Sequence, residues 1–408
     1  MQPNISKTNE ASYRWVILPT IWMTYLTVQI LRLSIGPVAP FLKEAMELSN
    51  TQLGLLTTAC GITYIPALAI SGWVADRFGV KRVLMFGTFT GGLMVLLIFF
   101  FPVYNIMFVL MSLSGIGFGC IFATAVKGLM LWFPPRKRAT VIGLNQAAVN
   151  VAGMISASLF PFISLHLGWP YSYLFTGIFV IITGIVGFFL YRDPSYVVSS
   201  NSSSDGIRAG DVSGSQVIAS LFNNRNFWLL SIGTLFIFIV EFALIANLVL
   251  YLSEELGFGV IEAGTVLALS QLSGAVMKPL SGVISDRLLH GKRKPVYLAM
   301  CAIATLVCIF PAFGLPKNTP AVFPIFALLG ASVIGCGGIY TTLAGELADS
   351  RFTGTAVGMV NAIANIGVLV GPPLFGLIVD NTGSYRFAWL FMVACSLVAL
   401  LLISLLHE

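Results

Sequence analysis

The sequence predicts an all-α membrane protein of twelve transmembrane helices in two pseudo-symmetric six-helix bundles, with both termini cytoplasmic. Three observations predict it. Of 408 residues, 57% are hydrophobic and only 9% charged, whereas an ordinary soluble domain carries about 25% charged residues and needs them to cover its surface. Apolar stretches of about 18 residues or more, the length that matches the hydrocarbon thickness of a bilayer, recur along the whole chain. The two halves of the chain also repeat one another.

A polar amino-terminal segment, Met1 to Arg14, precedes the first apolar run. That run is much longer than a signal-peptide core and has no small-residue cleavage site, so the segment reads as a cytoplasmic tail before a retained helix. Apolar runs set against turn and charge signals place spans near 15–42, 52–75, 83–101, 105–133, 138–165 and 171–191, forming a first bundle over 15–191. A polar stretch follows at 192–226, with Ser199 to Asp205 and several glycines, the composition of a flexible cytoplasmic linker. Six more spans near 227–252, 262–285, 295–315, 321–348, 354–380 and 385–406 form a second bundle over 227–408.

Orientation follows from the cations. With both termini inside, the inner segments collect Lys7, Arg14, Arg77, Lys81, Arg82, Arg136, Lys137, Arg138, Arg192, Arg208, Arg225, Arg287, Lys292, Arg293, Lys294 and Arg351, against Lys43, Lys317 and Arg386 outside. This is the asymmetry of the positive-inside rule, and the opposite topology would invert it. The net charge of +6 therefore belongs to topology; the cations are neither gathered on one amphipathic helix nor interleaved with exposed aromatics, so no nucleic-acid partner is expected.

The repeat is residue-specific. A shift of 210 matches Gly54 to Gly264, Ser71 to Ser281, Gly72 to Gly282, Asp76 to Asp286 and Arg77 to Arg287, and a shift of 215 matches Gly143 to Gly358 and Asn150 to Asn365. Duplicated bundles of this kind place substrate between the repeats near the bilayer midplane and work by alternating access.

The loop after the second span reads Gly72-Trp-Val-Ala-Asp76-Arg77-Phe-Gly79-Val-Lys81-Arg82, and the eighth span ends Gly282-Val-Ile-Ser-Asp286-Arg287 before Gly291-Lys292-Arg293-Lys294. A glycine four residues before an Asp-Arg pair, twice, each time on the cytoplasmic end of an even-numbered span, resembles the signature loop of the major facilitator superfamily, and the resemblance covers essentially the entire chain. Gly72 and Gly282 are expected to allow close helix approach. Asp76, Arg77, Asp286 and Arg287 are expected to act in gating through charge-assisted contacts with neighbouring helix ends; Lys81, Arg82 and Lys292 to Lys294 read as topology determinants. Tyr25 and Arg32 ahead of Pro37 to Pro40, with the fourth-span ending Lys127-Gly-Leu-Met-Leu-Trp132-Phe133-Pro134-Pro135-Arg136-Lys137-Arg138, look like the anion:cation symporter branch, which carries sugar acids, organic acids and organophosphates. Lys278-Pro279 stands where oxalate and monocarboxylate carriers show Arg-Pro. Where many sugar-acid members carry acidic residues, this chain has Leu31 and Leu131, so that branch's usual carboxylates are absent for proton coupling.

Four ionisable residues fall well inside spans, away from their ends: Arg32, Lys127, Glu241 and Lys278. Each costs about 2.5 to 3.5 kcal/mol at a helix centre on insertion scales, so they are expected to face a cavity or one another. One carboxylate cannot neutralise three cations, and the surplus favours a small organic anion. Arg32 is the preferred anchor because its planar fork holds a carboxylate or phosphate bidentately. Lys127 is also assigned to the substrate site, against a competing reading as a side chain reaching the cytoplasmic interface near Trp132. Lys278 is either a ligand or a gate charge. Glu241, the one carboxylate near mid-helix, is assigned proton coupling, against an alternative as an electrostatic latch on a cation. Glu346 and Asp349, near the inner end of the tenth span, read as gating or solvated charge. Gln29, Tyr64, Asn247 and Tyr340 complete the expected substrate site; Asn145, Gln146, Asn150, Gln271, Asn361 and Asn365 are further polar candidates, although any one is more often a helix-to-helix hydrogen bond.

The six cysteines lie in apolar stretches without paired spacing, so neither a disulfide framework nor a metal site is expected. Gly115, Gly117 and Gly119 and Gly335, Gly337 and Gly338 follow no strand, which removes the nucleotide-loop reading and leaves close helix packing or room for substrate. No nucleophile elbow or P-loop lysine occurs, so no enzyme and no cofactor is expected. The reading is therefore a monomeric secondary transporter of the inner membrane, in contact with lipid, moving a small organic anion, a carboxylate or sugar acid, with a proton or in exchange for a counter-anion. A multidrug exporter would want an acidic aromatic cavity and a glycine-proline motif late in the fifth span, which reads instead Gly153-Met-Ile-Ser-Ala-Ser-Leu-Phe-Pro161. A non-transporting membrane sensor is the other alternative.

Overall fold

The computed structural model describes residues 5–133, 135–192, 221–346 and 353–407, without the side chains of 5–12, Ala69, Gly72, Trp73, Asp76, Ala123, 135–140, Gly143 and 353–355. Most of the expected linker, and Asp349, lie outside the described residues. Among these residues the regular structure is entirely helical: α1 (Ile5–Arg32), α2 (Ile35–Met46), α3 (Asn50–Phe78), α4 (Val80–Phe100), α5 (Tyr104–Trp132), α6 (Pro135–Leu167), α7 (Trp169–Leu190), α8 (Arg225–Glu254), α9 (Val260–Val283), α10 (Lys294–Phe313), α11 (Val322–Val333), α12 (Gly337–Glu346), α13 (Thr353–Thr382) and α14 (Tyr385–Ser404). A single π turn, Ile284–Leu288, prolongs α9.

Eleven segments are long and apolar enough to cross a membrane among the described residues. The remaining expected span, 52–75, falls inside α3, a 29-residue helix that is not among the eleven. Helices are the natural answer to an apolar medium, because they satisfy their own backbone polar groups where no water is present. Large apolar side chains such as Phe175, Ile182 and Phe189 of α7 and Leu397 and Leu401 of α14 are exposed, as a lipid-facing surface requires. By contrast, α8 is buried almost all round from Ile237 to Leu252.

The chain divides into two compact units: Met1–Arg32, Ala59–Gly153 and Ile163–Arg208 in the first, and Leu33–Thr58, Met154–Phe162 and Ala209–Glu408 in the second. The segments 33–58 and 154–162, drawn from the first half of the sequence, thus group with the second unit. In the first unit, glycines set the spacing of α5. A Cβ on Gly115 would lie 2.1 Å from the Cys60 carbonyl oxygen, and one on Gly117 would lie 2.4 Å from that of Gly87. In the second unit, α13 lies against α8 through Gly367 and Gly371, whose Cβ atoms would fall 2.4 Å from the Leu235 oxygen and 2.6 Å from the Ile239 oxygen. Ser270 Oγ, donating to the Phe326 carbonyl at 2.9 Å, joins α9 to α11.

Three expectations are corrected. The first span, read as one helix over 15–42, is broken at Leu33–Ser34. Pro37 has no N–H to give the Leu33 carbonyl four residues earlier, and Ser156 Oγ of α6 donates to that carbonyl instead, at 3.1 Å. The tenth span, read as continuous over 321–348, is broken between Val333 and Gly337, where Gly335 N–H reaches back to the Gly330 carbonyl at 3.3 Å. Gly282 does not mediate close approach, since nothing lies within 4 Å of where its Cβ would be; the side chain of Gly72, its partner by the repeat, lies outside the described set.

The packing separates two glycines that look alike in sequence. Gly115→Ala is expected to lower the thermal unfolding midpoint of the purified protein by roughly 5 °C, because the added methyl meets backbone. Gly282→Ala is expected to leave the midpoint unchanged or slightly raised. Equal effects from the two would contradict this packing.

Candidate functional site

In the first unit, Arg32 ends α1 and lies near the middle of the apolar span Tyr13–Met46. Its guanidinium carbon sits 4.4 Å from the centroid of the Tyr64 ring of α3, a cation–π contact. Arg32 and the Tyr64 hydroxyl also interact electrostatically. Around this pair stand Cys60 and Tyr25, both in electrostatic contact with Arg32. Tyr25 OH donates to Gln146 Oε1 at 3.4 Å, and the Gln29 side chain lies close enough to act on the Tyr25 hydroxyl. Gln29 is 2% exposed, and its Oε1 has no hydrogen-bond partner among the described residues. The helical period makes this grouping: Tyr25, Gln29 and Arg32 recur at spacings of four and three, so they share one face of α1.

Lys127 occupies a different level. Its neighbour Gly128 packs where α4 begins and α7 has ended: a Cβ there would lie 3.0 Å from Ile21 and Val80 and 3.3 Å from the Tyr191 hydroxyl. Ile21 is eleven residues before Arg32, so the two cations are separated by roughly 15 Å along the helix axis. Nearby, Trp132 Nε1 donates to the Arg192 carbonyl at 3.0 Å, closing this end of the unit with an interfacial aromatic.

In the second unit, Glu241 of α8 and Lys278 of α9 interact electrostatically, and both interact with Cys336, which sits in the break between α11 and α12. A Cβ on Gly337 would lie 3.1 Å from Lys278 Cε, so the glycine leaves the lysine stem its room. Tyr340 OH donates to Asn361 Oδ1 at 3.1 Å, and its ring stands edge-on to Phe238 at 5.7 Å. Asn247 is buried and donates its amide to the Ala243 carbonyl of its own helix at 3.0 Å. The Lys278–Glu241 pair and Tyr340 thus share one neighbourhood through Cys336.

The expected gating residues lie at helix ends. Arg77 is exposed, and the Asp76 side chain lies outside the described set. Asp286 and Arg287 are both exposed in the π turn. Asp286 pairs with Arg293, whose Nε also reaches Glu346 Oε1 at 3.5 Å. The hydrogen bond that Arg293 donates to Asp286 pushes the Arg293 pKa above its ordinary value. Cys60, Ser156, Cys336 and Arg293 are partners that the sequence reading did not select. Of these, only Ser156 had a local signal, the proline at 37 that orphans a carbonyl. Among the described residues no cluster of three or more metal-ligating side chains occurs.

These features define a polytopic α-helical membrane protein with ionisable groups held at apolar depth, the general form of a membrane transporter. The sequence model of the Major Facilitator Superfamily matches residues 21–363, and the chain belongs to that superfamily. It is 26% identical, over 94% of its length and 91% of the relative's, to a protein of Cupriavidus necator named a probable sulfoacetate transporter. It is 25% identical to a hexuronate transporter of Bacillus subtilis, covering 88% of this chain and 86% of that one. A membrane sensor protein of Escherichia coli is 25% identical, with 98% and 94% covered. The set of relatives matches the anion:cation symporter branch that the first and fourth spans resemble. Among solved structures, a bacterial homologue of the human lysosomal transporter Spinster, inward-facing and unoccupied, aligns with a TM-score of 0.81 at 19% identity over 96% of both chains, a likeness of fold.

The Glu241–Lys278 contact is testable on its own. Removing one partner leaves a charge without its counter-ion at apolar depth. Lys278→Met is therefore expected to destabilise more than Lys278→Met combined with Glu241→Gln, a coupling of about 1 kcal/mol or more in a double-mutant cycle of thermal unfolding. Additive effects would show that the two charges act independently.

Proposed function

We propose that the protein moves a small organic anion, of the hydroxylated carboxylate or sugar-acid class, across the inner membrane by alternating access, driven by a proton or by a counter-anion. The observation that carries this reading is the Arg32–Tyr64 pair at mid-span. An aromatic face steadies the guanidinium, whose planar fork is the group that holds a carboxylate bidentately. One turn away, Gln29 Oε1 is a buried acceptor whose burial costs about 1–3 kcal/mol when it is not hydrogen-bonded; a hydroxyl next to the carboxylate of a sugar acid would supply the donor. In this reading Arg32, Gln29 and Tyr64 bind substrate. In the second unit Lys278, with Tyr340 and Asn247, is a positive group for an anion in its own right, and Glu241 is the coupling carboxylate that interacts with it. Lys127 serves the cytoplasmic interface.

The relatives named for sulfoacetate and hexuronate transport support the substrate class. A sensor reading is kept because a relative covering 98% of the chain is a membrane sensor; a sensor binds its anion without carrying it.

Uptake of labelled hexuronate and sulfoacetate into proteoliposomes separates these readings. At least one of these anions is expected to enter and to show counterflow, with Arg32→Ala lowering the initial rate at least tenfold. Glu241→Gln is expected to keep exchange while losing accumulation driven by a proton gradient. Binding without counterflow would favour the sensor. No movement or binding of any organic anion would overturn the proposal.

A further inference from the structure

The first turn of α3 leaves backbone N–H groups that its own helix cannot satisfy. Ser49 and Gln52 answer part of this need as a reciprocal capping box: Gln52 N donates to Ser49 Oγ at 3.1 Å and Ser49 N to Gln52 Oε1 at 2.9 Å. The Asn50 and Thr51 N–H groups are met from a distant part of the chain. Asp380, near the end of α13, accepts from Asn50 N at 2.9 Å, Asn50 Nδ2 at 2.8 Å, Thr51 N at 2.7 Å and Thr51 Oγ1 at 2.6 Å. A carboxylate at a helix N-terminus also opposes the positive end of the helix dipole.

Asn50 opens onto a wider network. Lys43 of α2 donates to Asn50 Oδ1 at 3.1 Å and pairs with Glu254 at 2.8 Å, and Tyr385 OH donates to Glu254 at 2.7 Å. Backbones are near contact beside it. A Cβ on Gly376 would lie 2.2 Å from the Asn50 oxygen, one on Gly54 2.5 Å from the Pro372 oxygen, and one on Gly36 2.2 Å from the Ile245 oxygen. All these residues belong to the second unit, and the segment 33–58 that carries Lys43, Asn50 and Thr51 begins at the break that immediately follows Arg32.

We infer that Asp380 is a gating residue of the transport cycle, its carboxylate latching the α2–α3 segment onto α13 and its release freeing that segment at the face the cation count places outside. The inference rests on the transport reading above. Three features suit a reversible latch rather than a permanent weld. The capping box belongs to α3 itself, so the helix keeps its start when Asp380 leaves. Asp380 is exposed, so water replaces the carboxylate at the two freed N–H groups without an unsatisfied buried state. The polar contacts occupy the exposed end, while the neighbouring contacts at Gly54 and Gly376 are close glycine-to-backbone approaches.

The test reads conformation and needs no substrate, so its failure is separable from a failure of the transport reading. Leu53, 2% exposed beneath the latch, is changed to cysteine, and its reaction with a membrane-impermeant maleimide added from outside is timed in intact cells. Asp380→Ala is expected to raise the Leu53→Cys labelling rate at least fivefold. Thr51→Val, which removes one of the four donors and leaves the fold intact, is expected to raise it about twofold. The same variants without Leu53→Cys are expected to stay unlabelled, because the six native cysteines are buried. Unchanged labelling of Leu53→Cys in Thr51→Val and in folded Asp380→Ala would overturn the inference. So would equal labelling of the native cysteines, which would mean that Asp380 only stabilises the fold.

Discussion

Inside a hydrocarbon layer there is no water to answer a polar group, so each interrupted helix and each buried charge must be met by another part of the protein. Much of this structure follows from that constraint. Pro37 orphans the Leu33 carbonyl, and a serine from α6 supplies the missing donor. Arg32, set at mid-span, lies over the face of Tyr64. Lys278 of α9 and Glu241 of α8 interact electrostatically. None of these solutions is local in sequence, and each ties one helix to another where apolar packing alone specifies little.

The two broken spans adjoin the two polar clusters. Arg32 is the last residue of α1, directly before the Leu33–Ser34 break, and Lys278 lies beside Gly337, directly after the break in the tenth span. Irregular backbone is tolerated at membrane depth only where protein or a cavity surrounds it. Each break therefore marks a place where polar groups can be gathered, and it also supplies a joint about which helical segments can pivot.

Much of the fold was legible because hydropathy over some twenty residues is a strong signal, and because the repeated Gly-x-x-x-Asp-Arg pattern recurs at matching places. The helix breaks were not legible. Pro37 marked the first only as a proline in an apolar run, and the tenth span breaks at glycines that read equally well as packing residues. Gly282 was misread for a related reason: a glycine in a motif looks like a close-approach residue, but only coordinates show whether a neighbour is near. Within the site, Arg32 and Tyr64 were both selectable by type and depth, and Tyr25, Gln29 and Arg32 by their spacing on one face. The Cys336 link between Lys278 and Tyr340 was hidden, since a lone cysteine in an apolar span carries no signal. Asp380 was invisible for a deeper reason: an acid at the end of a span looks like solvated charge, and its partners lie some 330 positions away in the chain.

The central claim is that Arg32 receives the anion. A density map of the full-length protein in lipid nanodiscs, determined with saturating hexuronate, tests it most directly. The account expects density for the carboxylate within hydrogen-bond distance of the Arg32 guanidinium, with the Tyr64 ring still beneath it and a substrate hydroxyl at Gln29 Oε1. Ordered anion elsewhere, with the Arg32 guanidinium engaged only by protein groups, would contradict it.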